Sequence, residues 1–173
     1  MQSPFSFKTE TLFLSFALLF LPMAADAKTP TAEIGNNKIK LEVAQTPKQI
    51  ARGLMGRTSM PQDQGMVFLF RPARPVRFWM FNCFMSLDMM FIKDGKIMKI
   101  SREVPPCKSH IEAECPLYPA EGEIEASEVI EVNPGYCKSH NINEGDTVKF
   151  SLGGIASTPA RDEAAAPTEA PAK

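Results

Sequence analysis

Histidine, tyrosine and tryptophan are scarce in this 173-residue chain, at two, two and one, and each shortage excludes something. His110 and His140 do not stand at ligand spacing with any of the four cysteines, which removes the common zinc sites. One-sided charge is also missing. Nineteen Lys and Arg against twenty Asp and Glu leave a formal charge of -1, so nothing calls for nucleic acid or an anionic membrane surface as partner. After residue 27 no apolar run approaches the about 20 residues that a spanning helix needs, and no integral membrane segment is expected in the mature chain. Hydrolytic machinery is absent as a motif. Ser86 lies two residues before Asp88, but no glycine-bounded nucleophile elbow surrounds it and neither histidine is tied to it by sequence.

The first 27 residues have the composition of an export signal. Lys8 lies in a polar start, Leu12 to Leu21 is apolar, and Ala25-Asp26-Ala27 gives a small-x-small cleavage pattern before Lys28. A periplasmic or secreted location follows as the expectation. Residues 28–37 are expected to be a flexible N-terminal segment, 38–153 a single β-rich domain, and 154–173 a disordered tail. The tail's Ala, Pro, Thr and charged residues have no apolar period with which to bury a core.

Within the domain, Ile39, Leu41 and Val43 alternate as in a half-buried strand. Thr46-Pro47-Lys48-Gln49 is a helix start, with a capping threonine, proline at the first helical position and glutamine completing a capping box. That helix should turn Ile50, Ala51, Leu54 and Met55 inward and stop at Gly56. Met66 to Phe70 is a further strand. Asp94-Gly95 predicts a tight hairpin turn into a returning strand from Ile97. Val104 to Ser127 is expected as a long loop, Val129 to Val132 as a strand, Tyr136 to His140 as a short helix, and Thr147 to Leu152 as the last strand. The total is about seven short strands with two short peripheral helices, a mainly β chain (α+β at the margin) forming a compact antiparallel sandwich or barrel.

The stretch from Phe78 to Ile92 holds the single tryptophan and four of the ten methionines, and is expected to be the structural centre. Its halves, Val76 to Phe81 and Leu87 to Ile92, are predicted to be two adjoining core strands. Alternation places Phe78 and Met80 opposite Trp79 and Phe81, and Leu87, Met89 and Phe91 opposite Asp88, Met90 and Ile92. Asn82 and Asp88 are the polar residues that this apolar setting must satisfy. A carboxylate buried there needs backbone donors or an arginine such as Arg52 or Arg57.

Taken together, Arg52-Gly53-Leu54-Met55-Gly56-Arg57, Gly65-Met66 before a strand, Phe78-Trp79-Met80 with Asn82, Leu87-Asp88 with Phe91-Ile92, Pro105-Pro106-Cys107, and Glu131-Val132 followed by Gly145-Asp146 resemble the DUF192 family of small, often exported bacterial and archaeal proteins. The similarity spans about Ile39 to Leu152. It implies a compact β-rich domain and no settled activity, so it assigns no catalytic residue. The chain departs from the family's usual pattern at Phe81, where lysine is common, and at Cys83, where threonine or another small residue is common.

Four cysteines allow three pairings. Cys107 and Cys115 lie eight apart in the proline-bordered loop and are expected to bridge; Cys83 and Cys137 would then be a second bridge or two buried thiols. Met80, Met85, Met89 and Met90 around Cys83 have the softness of a copper(I) set, but alternation splits Met89 from Met90, and methionine is a common core filler. Neither metal nor cofactor is expected. Arg71, Arg74 and Arg77 form a local basic cluster whose plainer reading, over an anion site, is a solvated loop entering a strand.

The candidate functional surface is Arg52, Arg57, Trp79, Asn82 and Asp88: an apolar wall with few polar groups, as in small-molecule sites, with an anion contact from the arginines. The leading expectation is an exported module binding a small molecule or an envelope protein. The alternatives are a hydrolase or transferase using Asp88 with an arginine, and a purely structural envelope protein.

Overall fold

The computed structural model describes residues 29–153, so the expected export signal and tail lie outside the described residues. The chain is mainly β. In order it forms β1 (Thr31–Ile34), β2 (Asn37–Ala44), α1 (Pro47–Arg52), β3 (Gln64–Val76), β4 (Phe78–Trp79), β5 (Leu87–Lys93), β6 (Lys96–Val104), β7 (Leu117–Tyr118), β8 (Ile124–Val132), α2 (Tyr136–Ser139) and β9 (Val148–Ser151).

Seven strands make one sheet in the order β6-β5-β8-β3-β2-β1-β9, and β4 with β7 make a separate pair. The large sheet curls into a half-barrel until its edges meet at one end. There Lys96 bridges Thr147, and the Val148 N–H donates to the Gly95 carbonyl at 2.8 Å. Pairing is antiparallel except between β2 and β3, which run parallel. Parallel neighbours need a crossover, and the segment containing α1 supplies it. Gly65 at the start of β3 allows a close approach: a Cβ there would lie 2.7 Å from the Glu131 carbonyl oxygen of β8.

The sheet is buried on both faces. Ala32, Ile39, Val67, Met90, Ile130 and Val148 belong to a cluster fed by all seven strands and plugged by Tyr136 and Cys137 of α2, which places it inside the curl. On the other face, Ile50 and Leu54 from α1 and its exit, with Phe78, Met80, Cys83 and Met85, cover Phe68, Met89 and Phe91. Phe78 meets Phe68, Phe70 and Phe91 edge-on at 5.0, 6.2 and 5.9 Å. Each fully buried side chain of this size contributes about 1.5–3 kcal/mol relative to exposure.

Several expectations change. Residues 31–34, expected within a flexible segment, are β1, hydrogen-bonded between β2 and β9. The predicted strand pair in the Trp79 segment is not a pair: β4 joins β7, and β5 joins β6 and β8. Alternation is nonetheless as read. Phe78 and Met80 share one cluster, and Leu87, Met89 and Phe91 are separated from Met90 and Ile92. α1 has its capping box but ends at Gly53, φ 41°, rather than at Gly56. β3 runs through the Arg-Pro segment as far as Val76, so Arg71 is not a loop residue. It pairs with the largely buried Glu128 and donates to the Ser127 carbonyl at 2.8 Å, while Arg74 lies over the Phe70 ring at 4.9 Å. The expected long loop contains β7 and the first half of β8.

Cys107 and Cys115 are bridged, with an S–S distance of 2.04 Å. Cys83 and Cys137 are both buried thiols, in the outer and inner cores respectively. A second bridge between them would have to pass through the sheet, which corrects that alternative.

Candidate functional site

Asp88 is fully buried at the start of β5. It sits where the pairing with β6 shifts register between Leu87 and Met89, opposite Glu103, whose φ is 50°. The Glu103 N–H donates to Oδ1 at 2.7 Å, the Gly135 N–H to the same oxygen at 3.1 Å, and the Cys137 N–H to Oδ2 at 2.9 Å. The carboxylate therefore holds a β-bulge and the turn into α2 to the same strand. Burial first, and then the Asp88 charge and its hydrogen bond with the thiol, push Cys137 up to about 12, so its sulfur stays protonated and unreactive. Neither Arg52 nor Arg57 is among Asp88's hydrogen-bonding or ion-pairing partners.

Trp79 is also core, 7% exposed and tilted against Phe81 at 6.2 Å. Asn82 is exposed and takes a left-handed turn, φ 55°. Its backbone carbonyl accepts from the Gly56 N–H at 2.8 Å, and the Phe84 N–H donates to the Arg57 carbonyl at 3.3 Å. These two bonds lock the 82–84 turn onto the loop that follows α1. Phe84 itself projects from the turn, 62% exposed.

The end of α1 and that loop carry the other two expected residues, Arg52 and Arg57. Gly53 and Gly56, φ 41° and 81°, adopt positive φ that side chains disfavour, and their turns bring Arg52 and Arg57 to one cleft. The cleft, about 420 Å³, is lined by the apolar side chains of Ala44, Met55 and Met66 and by the polar side chains of Glu42, Gln49, Arg52 and Arg57. Arg57 forks onto Glu42 of β2, Nη1 to Oε1 at 2.5 Å and Nη2 to Oε2 at 2.6 Å. The Arg57 guanidinium holds the Glu42 carboxyl below its ordinary value, mainly by hydrogen bonding against a partial desolvation. Among the described residues Arg52 has no ion-pair partner.

Gln49 has a dual position. Its Oε1 accepts from the Gln45 N–H at 3.1 Å, the Thr46 N–H at 3.0 Å and the Thr46 hydroxyl at 3.1 Å, which fixes the amide so that its NH2 is left to donate. Glu42 and Gln49 were not singled out from sequence. Glu42 was legible as an outward position between Leu41 and Val43, and Gln49 as a capping residue, but neither pattern points to a cleft. A larger cleft of about 710 Å³ is lined by residues that include Glu33, His140, Asp146 and Lys149. It gathers none of the five expected residues. Among the described residues no group of acidic, histidine or cysteine side chains is arranged to hold a metal, and no helix is long and apolar enough to cross a membrane.

The fold is a half-barrel plugged by α2, with two arginines lining a surface cleft. The DUF192 family, described as Uncharacterized ACR, matches residues 30–150, and the chain belongs to it. A protein from Sinorhizobium meliloti 1021, described as a candidate transcription regulator, shares 32% identity over 70% of this chain and 91% of its own, with a TM-score of 0.59. A protein of unknown function from Novosphingobium aromaticivorans shares 27% over 70% of this chain and 83% of its own, also with a TM-score of 0.59. No relative is found among curated proteins.

Proposed function

We propose that this chain is an exported, non-enzymatic binding module whose site is the cleft between α1, the 53–57 loop and β2. The observation that carries the reading is the gathering of Arg52 and Arg57 in one cleft, with the Asn82 turn fastened to its lining through Gly56. Trp79 and Asp88 leave the site as drawn from sequence. The first is core and the second is occupied by backbone donors. The ligand is a small molecule or a segment of an envelope protein, and export rests on the signal-like leader and on a bridge that favours an oxidising compartment.

The enzymatic alternative needs a carboxylate open to substrate, and Asp88 has no exposed surface. The description given to the Sinorhizobium protein raises DNA binding, but the near-neutral charge of this chain offers no electrostatic footprint for it.

The reading is tested by titrating the isotopically labelled full chain with glycans, nucleotides and short peptides. A ligand should move the amides of Arg52, Gly53, Gly56 and Arg57, and Arg52→Ala should weaken it at least about tenfold at unchanged melting temperature. Ligands that map elsewhere, or an Arg52→Ala variant that binds as well as the parent, would reject the cleft.

A further inference from the structure

Resting on the cleft reading, we infer that the ligand presents a carboxylate, and that Glu42 occupies the Arg57 fork in its place until the ligand arrives. Among the described residues lining the cleft, the polar side-chain groups left uncommitted are donors. Arg52 lacks an ion-pair partner among the described residues, and Gln49 has its oxygen used by the helix cap and its NH2 left over. Among the described residues Glu42 is the one carboxylate lining this cleft, and both its oxygens are taken by Arg57 in the parallel two-bond geometry by which arginine recognises a planar carboxylate.

The pair is also easy to open. Arg57 is about a third exposed and Glu42 about half, at 34% and 47% of their side chains, and ion pairs in such positions hold weakly against solvent. Displacing Glu42 moves it only into water, whereas the incoming group gains the Arg57 fork in a cleft that Arg52 and Gln49 also line. Ala44, Met55 and Met66 line the same cleft and offer it an apolar wall. A ligand with a carboxylate head and a short apolar body is complementary to both. A free small acid and the C-terminus of a peptide share this chemistry.

The test titrates the full chain and its Glu42→Gln and Arg52→Ala variants with three probes. They are an acetylated alanyl-leucine with a free C-terminal carboxylate, the same peptide as its amide, and inorganic phosphate; acetyl-leucine added in a separate arm distinguishes a small acid from a chain end. Glu42→Gln keeps the side chain's size and removes its charge. It should tighten the free-acid peptide at least about fivefold, while Arg52→Ala loosens it about tenfold and the amide does not bind. Equal or weaker binding by Glu42→Gln, equal binding of the amide, or binding of phosphate alone would overturn the inference. Glu42→Ala serves as a second variant should Glu42→Gln lose stability. Failure here remains separable from failure of the site. If neutral ligands move the cleft amides, the module reading stands and the carboxylate assignment falls; if acids bind but shift amides outside the cleft, both fall.

Discussion

Asp88 and Glu42 are both carboxylates set on strands beside an apolar cluster, and the fold treats them oppositely. Asp88 is sealed inside and satisfied by three backbone N–H groups from two other segments. Glu42 stands at the surface and is satisfied by another side chain, the partly exposed Arg57. Backbone donors are fixed by the sheet and the turn into α2, so Asp88 cannot exchange partners without opening the structure. A guanidinium on a flexible stem can exchange its partner at little cost. The residue most conspicuous in the sequence is therefore held by fixed backbone donors, and the inconspicuous one is free to exchange its partner.

The largest expected effect comes from breaking the sealed side. Asp88→Asn keeps the shape but turns an amide group toward N–H donors, and Asp88→Ala strands all three. Losses of about 3–5 kcal/mol are expected for alanine, because buried donors left without acceptors cost about 1–3 kcal/mol each. Urea denaturation reads this as a lowered midpoint, and hydrogen exchange should show the Glu103, Gly135 and Cys137 amides losing protection first. An Asp88→Ala chain as stable as the parent would mean that the bulge and α2 hold themselves together.

The same contrast explains what the sequence made legible. Burial on alternate faces of β5, the Thr46 capping box and the Asp94-Gly95 hairpin are local patterns, each written within a few residues, and the structure contains all three. Asp88's environment was readable as a problem needing donors, but the donors lie 15 to 49 residues away and come from a bulge and a turn that no local pattern announces. β1 was missed because Thr31–Ile34 is short and its partners are β2 and the distant β9. The pairing of Arg57 with Glu42 depends on the parallel β2–β3 crossover, and that is a property of topology.

Breaking the open side should cost far less. Arg57→Ala or Glu42→Ala should shift stability by less than about 1 kcal/mol, the range of partly exposed pairs, and a double variant should lose no more than the sum. Equilibrium denaturation of the four proteins closes the cycle. A coupling of several kcal/mol would place the pair among the structural contacts with Asp88 and would remove the ease of exchange on which the cleft depends.

The smallest effect sharpens the comparison by pH. Arg57 lowers the folded-state pKa of Glu42 below its ordinary value of 4.5, so the unfolded chain takes up the proton first as pH falls. The stabilisation is therefore complete above that ordinary value and is lost as pH drops through the lower, folded value. Solvent screening of a half-exposed carboxylate keeps it under about 1 kcal/mol. Between about pH 7 and about pH 3, the difference in urea midpoint between the parent and Glu42→Gln should begin at its full small size and then close. Salt should shrink the neutral-pH difference, because exposed charges are screened within about 10 Å at 0.1 M ionic strength. A difference that grows on acidification would carry the wrong sign for a carboxylate held by arginine, and would assign the stabilisation to some other partner of Glu42.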